Sequence, residues 1–159
     1  MDELNSCVGG VLAALPSGAA WKNLRAGLER IQGELFVVGA LLATPAERLS
    51  KLSPPFDRGL PADSVLRLER EIDAMTADLK PMTHFILPGG TGPGAWLHLA
   101  RTVCRRAERA ASALSGKNAP PEGVVVYLNR LSDHLFTAAR WANAKLGASE
   151  TPWKGLAKR

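Results

Sequence analysis

The sequence has only two cysteines, Cys7 and Cys104, too few and too far apart for a disulfide framework or a CxxC metal motif. Both fall at apolar positions of helical patterns, so reduced, buried thiols are expected. There are three histidines, His84, His98 and His134, and none has the HxxxH or HExxH spacing of the common histidine metal site. No serine or cysteine triad can be assembled. Aromatic residues make up 6% of the chain. The tryptophans fall at helical core positions or element ends, which suits packing better than a stacking platform for bases. The longest apolar run, LFVVGALLA at residues 35–43, is far below the ~20 residues that cross a bilayer. No signal peptide precedes it, so a cytoplasmic protein without a membrane partner is expected.

What is present is an ordinary globular composition. The chain has 159 residues, 46% hydrophobic and 22% charged, enough for one domain, residues 1–159, that buries about two thirds of its unfolded surface. Strand patterns are missing, while apolar steps of three and four recur throughout. A first helix is expected over residues 2–15, interrupted by Gly9 and Gly10, before a turn at 16–18. Trp21, Leu24, Leu28, Ile31, Leu35, Val38 and Leu42 mark a long second helix ending before Thr44 and Pro45. Pro45, Pro54, Pro55, Gly59 and Pro61 predict an irregular connection over 44–61, with a short helical turn at 46–52. A third helix, capped by Asp63 or Ser64, carries Val65, Leu68, Ile72, Met75 and Leu79. Residues 84–87 read as extended, and the loop PGGTGPG at 88–94 leads into a fourth helix over 94–115. A fifth turns Leu128, Leu131, Leu135, Ala138 and Ala142 inward and ends near Gly147. The fold class is therefore all-α, a five-helix bundle with a long crossover at 44–61.

The fourth helix holds the most informative run, LHLARTVCRRAERA at residues 97–110. Trp96, Ala100, Val103, Ala107, Ala110 and Leu114 predict its buried stripe. Roughly opposite fall His98, Arg101, Arg105 and Glu108, with Thr102, Arg106 and Arg109 on a flank. Arg101 and Arg105 stand one turn apart and repel by a few tenths of a kcal/mol, so helix stability did not select this spacing. A solvated basic face is one reading. The other is a phosphate grip, because every cation in the run is arginine, whose planar fork suits phosphate oxygens. The net charge of +5 agrees with an anionic ligand, a nucleic acid or an acidic surface, but no groove-reading motif supports the nucleic-acid reading. The glycine-rich loop lacks the Gly-Lys-Ser/Thr ending of a Walker A motif. It is either a turn needing positive φ or an anion cradle at a helix start. Asn129, Arg130 and Asp133 form a second polar patch, or a plain surface pair.

FILPGG (85–90), LHLARTVCRRAER (97–109) and YLNRLSDHLF (127–136) closely resemble the motifs of the PduO-type ATP:cob(I)alamin adenosyltransferases. DELNS (2–6), GALLATP (39–45) and LEREID (68–73) fall in the same family order, so the resemblance covers nearly the whole chain. It implies a homotrimer of five-helix bundles with active sites between subunits. It also implies transfer of the 5′-deoxyadenosyl group of ATP to the cobalt of reduced cob(I)alamin, with release of triphosphate. On the matching positions, Arg105 and Phe85 are the expected catalytic residues. Arg105, Arg106, Glu108, Arg109 and Asn129 are the expected ATP contacts. Phe85, Arg101 and Asp2 are the expected corrinoid pocket, with Arg101 and Asp2 paired across the subunit interface and Phe85 excluding the lower axial ligand of cobalt. Glu108 is expected to orient the arginines or help position a magnesium ion. The implied ligands are ATP, magnesium and cobalamin. The implied partners are further copies of the chain, a cobalamin reductase and an adenosylcobalamin-dependent acceptor enzyme.

Members of that family carry a TKxGDxGxT-like phosphate loop upstream of DELNS, and Met1 stands where they have valine. Because GTG encodes valine and also starts bacterial genes, a start assigned at an internal GTG is expected. The alternative is a noncatalytic or impaired corrinoid-binding, chaperone-like member.

Overall fold

The computed structural model describes residues 1–155; residues 156–159 of the expected domain lie outside them. Five α-helices form the all-α bundle: α1 (Asp2–Ala14), α2 (Lys22–Ala43), α3 (Ser64–Thr76), α4 (Gly92–Ser112) and α5 (Val124–Lys145). Short 3₁₀ turns at Ala19–Trp21, Ala46–Lys51 and Gly116–Asn118 lie in the connections. Among the described residues the one β-bridge joins Ile86 to Pro152, and no helix is long and apolar enough to cross a membrane.

The helices sit where their apolar spacing puts them. α4 makes its most extensive contact with α5, α1 packs on α4 and α2, and α3 packs on α5. All five residues expected to face inward on α5, from Leu128 to Ala142, are buried. So are Trp21, Leu24, Leu28, Ile31, Leu35 and Val38 before and along α2. Each such leucine or isoleucine contributes roughly 1.5–3 kcal/mol.

Two expectations need correction. α1 is continuous through Gly9 and Gly10. Gly10 is there for space, since a Cβ on it would meet the Trp96 ring at 2.9 Å. The buried face of α4 is turned by roughly a fifth of a turn from the expected stripe. It consists of Leu97, His98, Ala100, Val103, Cys104 and Ala111, while Trp96, Ala110 and Leu114 are exposed. His98, expected on the polar face, is only 4% exposed.

A polar seam joins α2, α3 and α5. Glu34, 5% exposed, accepts hydrogen bonds from Arg30 at 2.9 and 3.0 Å, Arg67 at 2.9 Å and the Tyr127 hydroxyl at 2.7 Å. Arg30 also reaches Glu71 at 2.6 Å, and His134 Nε2 meets the other oxygen of Glu71 at 2.8 Å. Burial acts to raise the Glu71 pKa, but His134 and Arg30 outweigh it and hold the carboxyl below its usual 4.5. Removing one partner from a buried pair leaves the others uncompensated. Glu34→Ala is therefore expected to cost about 3–5 kcal/mol, read as a lower urea midpoint. Glu29→Ala, on the exposed side of the same helix, is expected to stay within about 0.5 kcal/mol.

Candidate active site

The glycine loop before α4 closes around one side chain from α5. Asn143 Oδ1 accepts from the Thr91 N–H at 2.9 Å and the Thr91 hydroxyl at 2.8 Å, and its Nδ2 donates to the Gly89 carbonyl at 2.9 Å. A Cβ at Gly94 would lie 2.0 Å from Asn143 Oδ1, so no larger residue fits there. Gly90 adopts φ +102°, which favours glycine. Thr91 Oγ1 accepts the Gly94 N–H at 3.2 Å and caps α4. These contacts build the loop as a turn that requires glycine at positions 90 and 94.

The extended segment before the loop carries Phe85. Its carbonyl accepts the Trp153 N–H at 2.7 Å, and the Leu87 N–H donates to Thr151 at 2.9 Å. Pinned in this way, the Phe85 ring stands 75% exposed, edge-on to Trp153 at 6.4 Å. It lines a cavity of about 310 Å³ together with Met82, His98, Arg101, Arg105, Ser132, Asp133 and Phe136. The Arg101 guanidinium lies 5.9 Å from the centre of the Phe136 ring. Burial, and then the charge of Arg105, lower the Arg101 pKa from its usual 12.5, but arginine remains charged at neutral pH.

Arg30, Arg67, Arg106, Arg130 and Arg140 are ion-paired, whereas Arg101, Arg105 and Arg109 have no carboxylate partner among the described residues. Such a concentration of uncompensated charge favours an anionic ligand. Arg106 departs from its neighbours, leaving α4 on the α1 side and pairing with Glu3 at 2.5 Å. Glu108 accepts from Asn129 Nδ2 at 2.7 Å and so ties α4 to α5. Arg130 and Asp133 make the anticipated surface pair at 3.0 Å. Asp2 is exposed and borders a different hollow, with Met1, Phe36 and Leu114. It meets no arginine within the chain among the described residues. No three His, Cys, Asp or Glu gather to hold a metal ion among the described residues. A magnesium ion bound mainly by water and phosphates needs only one or two carboxylates, and Glu108 can supply one.

Sequence reasoning missed Ser132, Phe136 and Asn143, and placed His98 on the wrong face. Ser132 and Phe136 continue the Asn129 face of α5 by steps of three and four, a signal that was available. For Asn143 the only hint was a polar residue one turn beyond buried Ala139.

A family model described as cobalamin adenosyltransferase matches residues 1–142. The chain belongs to this family. It is 44% identical over 154 residues to the corrinoid adenosyltransferase of Bacillus subtilis (strain 168), covering 97% of this chain and 76% of that protein. The human corrinoid adenosyltransferase is 39% identical, over 94% of this chain and 58% of its own length. Among solved structures, a phenylalanine-to-alanine variant of a PduO-type ATP:corrinoid adenosyltransferase from Lactobacillus reuteri, complexed with cobalamin and ATP, has a TM-score of 0.83 and 38% identity. That match covers 97% of this chain and 82% of the other. An arginine-to-lysine variant complexed with ATP has a TM-score of 0.83 and 37% identity, over 96% and 82%.

In this adenosyltransferase-family chain, Cys104 lies directly behind the arginine wall. Its thiol donates to the Leu128 carbonyl at 3.2 Å, and burial, with Glu108 adding, pushes its pKa up to about 12. The reactive species is the thiolate. Native protein at pH 8 is expected to leave Cys104 unlabelled by iodoacetamide and to label it in urea, as read by mass spectrometry. Labelling of the native state would mean that α4 lifts from α5.

Proposed function

We propose that this chain transfers the 5′-deoxyadenosyl group of ATP to the cobalt of cob(I)alamin, forming adenosylcobalamin and releasing triphosphate. It does so as a single-domain, cytoplasmic homotrimer with active sites between neighbouring subunits. The observation that carries the reading is one cavity holding an exposed aromatic ring, Phe85, beside two arginines, Arg101 and Arg105, that have no carboxylate partner among the described residues. Further support comes from spacing: the substituted phenylalanine and arginine of the solved variants are 20 positions apart, as are Phe85 and Arg105.

The chemistry follows from the side chains. Co(I), a strong nucleophile, attacks C5′ of ATP; the Co–C bond forms as the C5′–O bond breaks and the electron pair leaves with triphosphate. Arg105 and Arg109 hold that departing charge, where fixed donors stabilise it most in the transition state. Arg106 joins them once it leaves Glu3. Asn129, oriented by Glu108, positions the nucleoside. Glu108 would help hold a magnesium ion, which would supply further charge neutralisation. Phe85 presents an apolar wall to the corrin face, denying cobalt a lower axial ligand. Arg101 pairs with Asp2 of the next copy, which accounts for their lying in separate hollows of one chain. A reductase supplies Co(I), and an adenosylcobalamin-dependent enzyme accepts the product.

Purified protein incubated with ATP, magnesium and chemically reduced cobalamin is expected to show the absorbance change of cobalt alkylation. Corrinoid binding without alkylation would replace the catalytic reading with a chaperone-like one. Arg105→Ala is expected to lower kcat by about 10²–10³-fold, the usual loss for one charge-stabilising donor. Arg101→Ala is expected to weaken both trimerisation, read by sedimentation, and turnover. A variant that stayed trimeric with normal turnover would remove Arg101 from the interface.

A further inference from the structure

His98 is a buried polar residue that the proposed chemistry does not use. Its ring lies edge-on to Phe136, with centroids 6.0 Å apart and planes at 61°. Its Nδ1 is buried and makes no hydrogen bond among the described residues. The Arg101 guanidinium lies over the Phe136 ring at 5.9 Å, so the ring contacts imidazole and guanidinium together. An aromatic face attracts a cation, and an edge-to-face neighbour sets the orientation of that face. The imidazole therefore governs where Arg101 can rest.

Among the described residues a positive charge on His98 has beside it only carboxylates that are already ion-paired, and the pull of Glu150 is outweighed by burial and Arg101. On its own helix stand Arg101 and Arg105. From α5 comes Asp133, already paired with Arg130 at 3.0 Å. From the stretch after α5 comes Glu150, held by Arg140 at 2.5 Å. The segment ahead of α4 gives the cavity Met82, Phe85, Ile86 and Pro88, none of them charged. An imidazolium here would compete with Arg101 for the same ring and repel it.

We infer that His98 is a positioning residue for Arg101, acting through Phe136: the uncharged imidazole fixes the ring on which the guanidinium rests, and a charge on that imidazole drives Arg101 off the corrinoid wall. The inference rests on the adenosyltransferase reading. Burial, and then Arg101, depress the His98 pKa from 6.5, so the uncharged form prevails at neutral pH. The disturbance sets in only as pH falls below that value.

The test is turnover of reduced cobalamin between pH 8 and pH 5.5 by wild type, His98→Gln and Phe136→Leu, with circular dichroism and sedimentation at each pH. Wild type is expected to lose kcat/KM along an acid limb with a midpoint below pH 6.5, through a rising KM for the corrinoid while kcat holds. His98→Gln is expected to start about threefold lower at pH 8, the weight of the lost edge-to-face support of Phe136, and to show no limb. Phe136→Leu, lacking the ring, should also lack it. His98→Asn replaces the glutamine variant if that variant does not fold. An acid limb retained in the folded His98 variant, or one confined to kcat, overturns the inference. Cobalamin affinity, read by tryptophan fluorescence quenching over the same pH range, separates the two claims. A pH-dependent Kd abolished by His98→Gln supports the positioning role even in a protein that alkylates no cobalt, and a Kd profile unchanged by the substitution rejects it.

Discussion

Leu97, Ala100, Cys104 and Ala111 of α4 share one buried core with Leu128, Leu131, Leu135 and Ala138 of α5, and that packing decides where every arginine of the run emerges. With 3.6 residues per turn, burying this face brings Arg101, Arg105 and Glu108 out along the edge nearest α5, and Arg106 out on the side of α1. Small residues at positions 100, 104 and 111 allow close approach of the helices, and the Cys104 thiol reaches a main-chain carbonyl of α5. The candidate site is therefore a by-product of core packing: the edge of α4 that carries Arg101 and Arg105 is the same edge along which α5 presents Ser132, Asp133 and Phe136.

The helices were legible because leucine, isoleucine and valine repeat at helical spacing, and α5 shows this cleanly. α4 misled because alanine is a poor indicator of burial. Ala110 is exposed and Ala111 buried, and apolarity alone does not separate them. Weighting Leu97 and Cys104 above the alanines would have turned the stripe the right way. The polar seam was invisible for another reason. Glu34 and Tyr127 are 93 positions apart, and no local pattern announces a hydrogen bond that only the tertiary fold creates. The motifs singled out Phe85 and Arg105, and the structure brings both to one cavity. The part played by Asn143 was not legible, because it depends on a loop 52 positions earlier folding back over α5.

The arginines divide into two populations by what they satisfy. Arg30 and Arg67 are both held by the buried carboxylate of Glu34, and their ion pairs link α2 to α3. Arg101, Arg105 and Arg109 are left with charge that no carboxylate among the described residues neutralises. Keeping such repulsion on one helix face has a cost in isolation, and it persists because the burial of α4 is strong enough to carry it. Under the proposed assembly that uncompensated face is the half of the site given to a neighbour and to nucleotide phosphates, whereas Asp2, in its separate hollow, is the half given in return.

Phe85 is held at both ends by distant chain: through Gly89 and Thr91 to Asn143, and through main-chain pairing to residues 151–153. The stretch that follows α5 is thus a bracket for the proposed corrinoid wall. This matters for anyone handling the protein, because an affinity tag fused close behind Gly155 would load the hydrogen bonds that aim the aromatic ring.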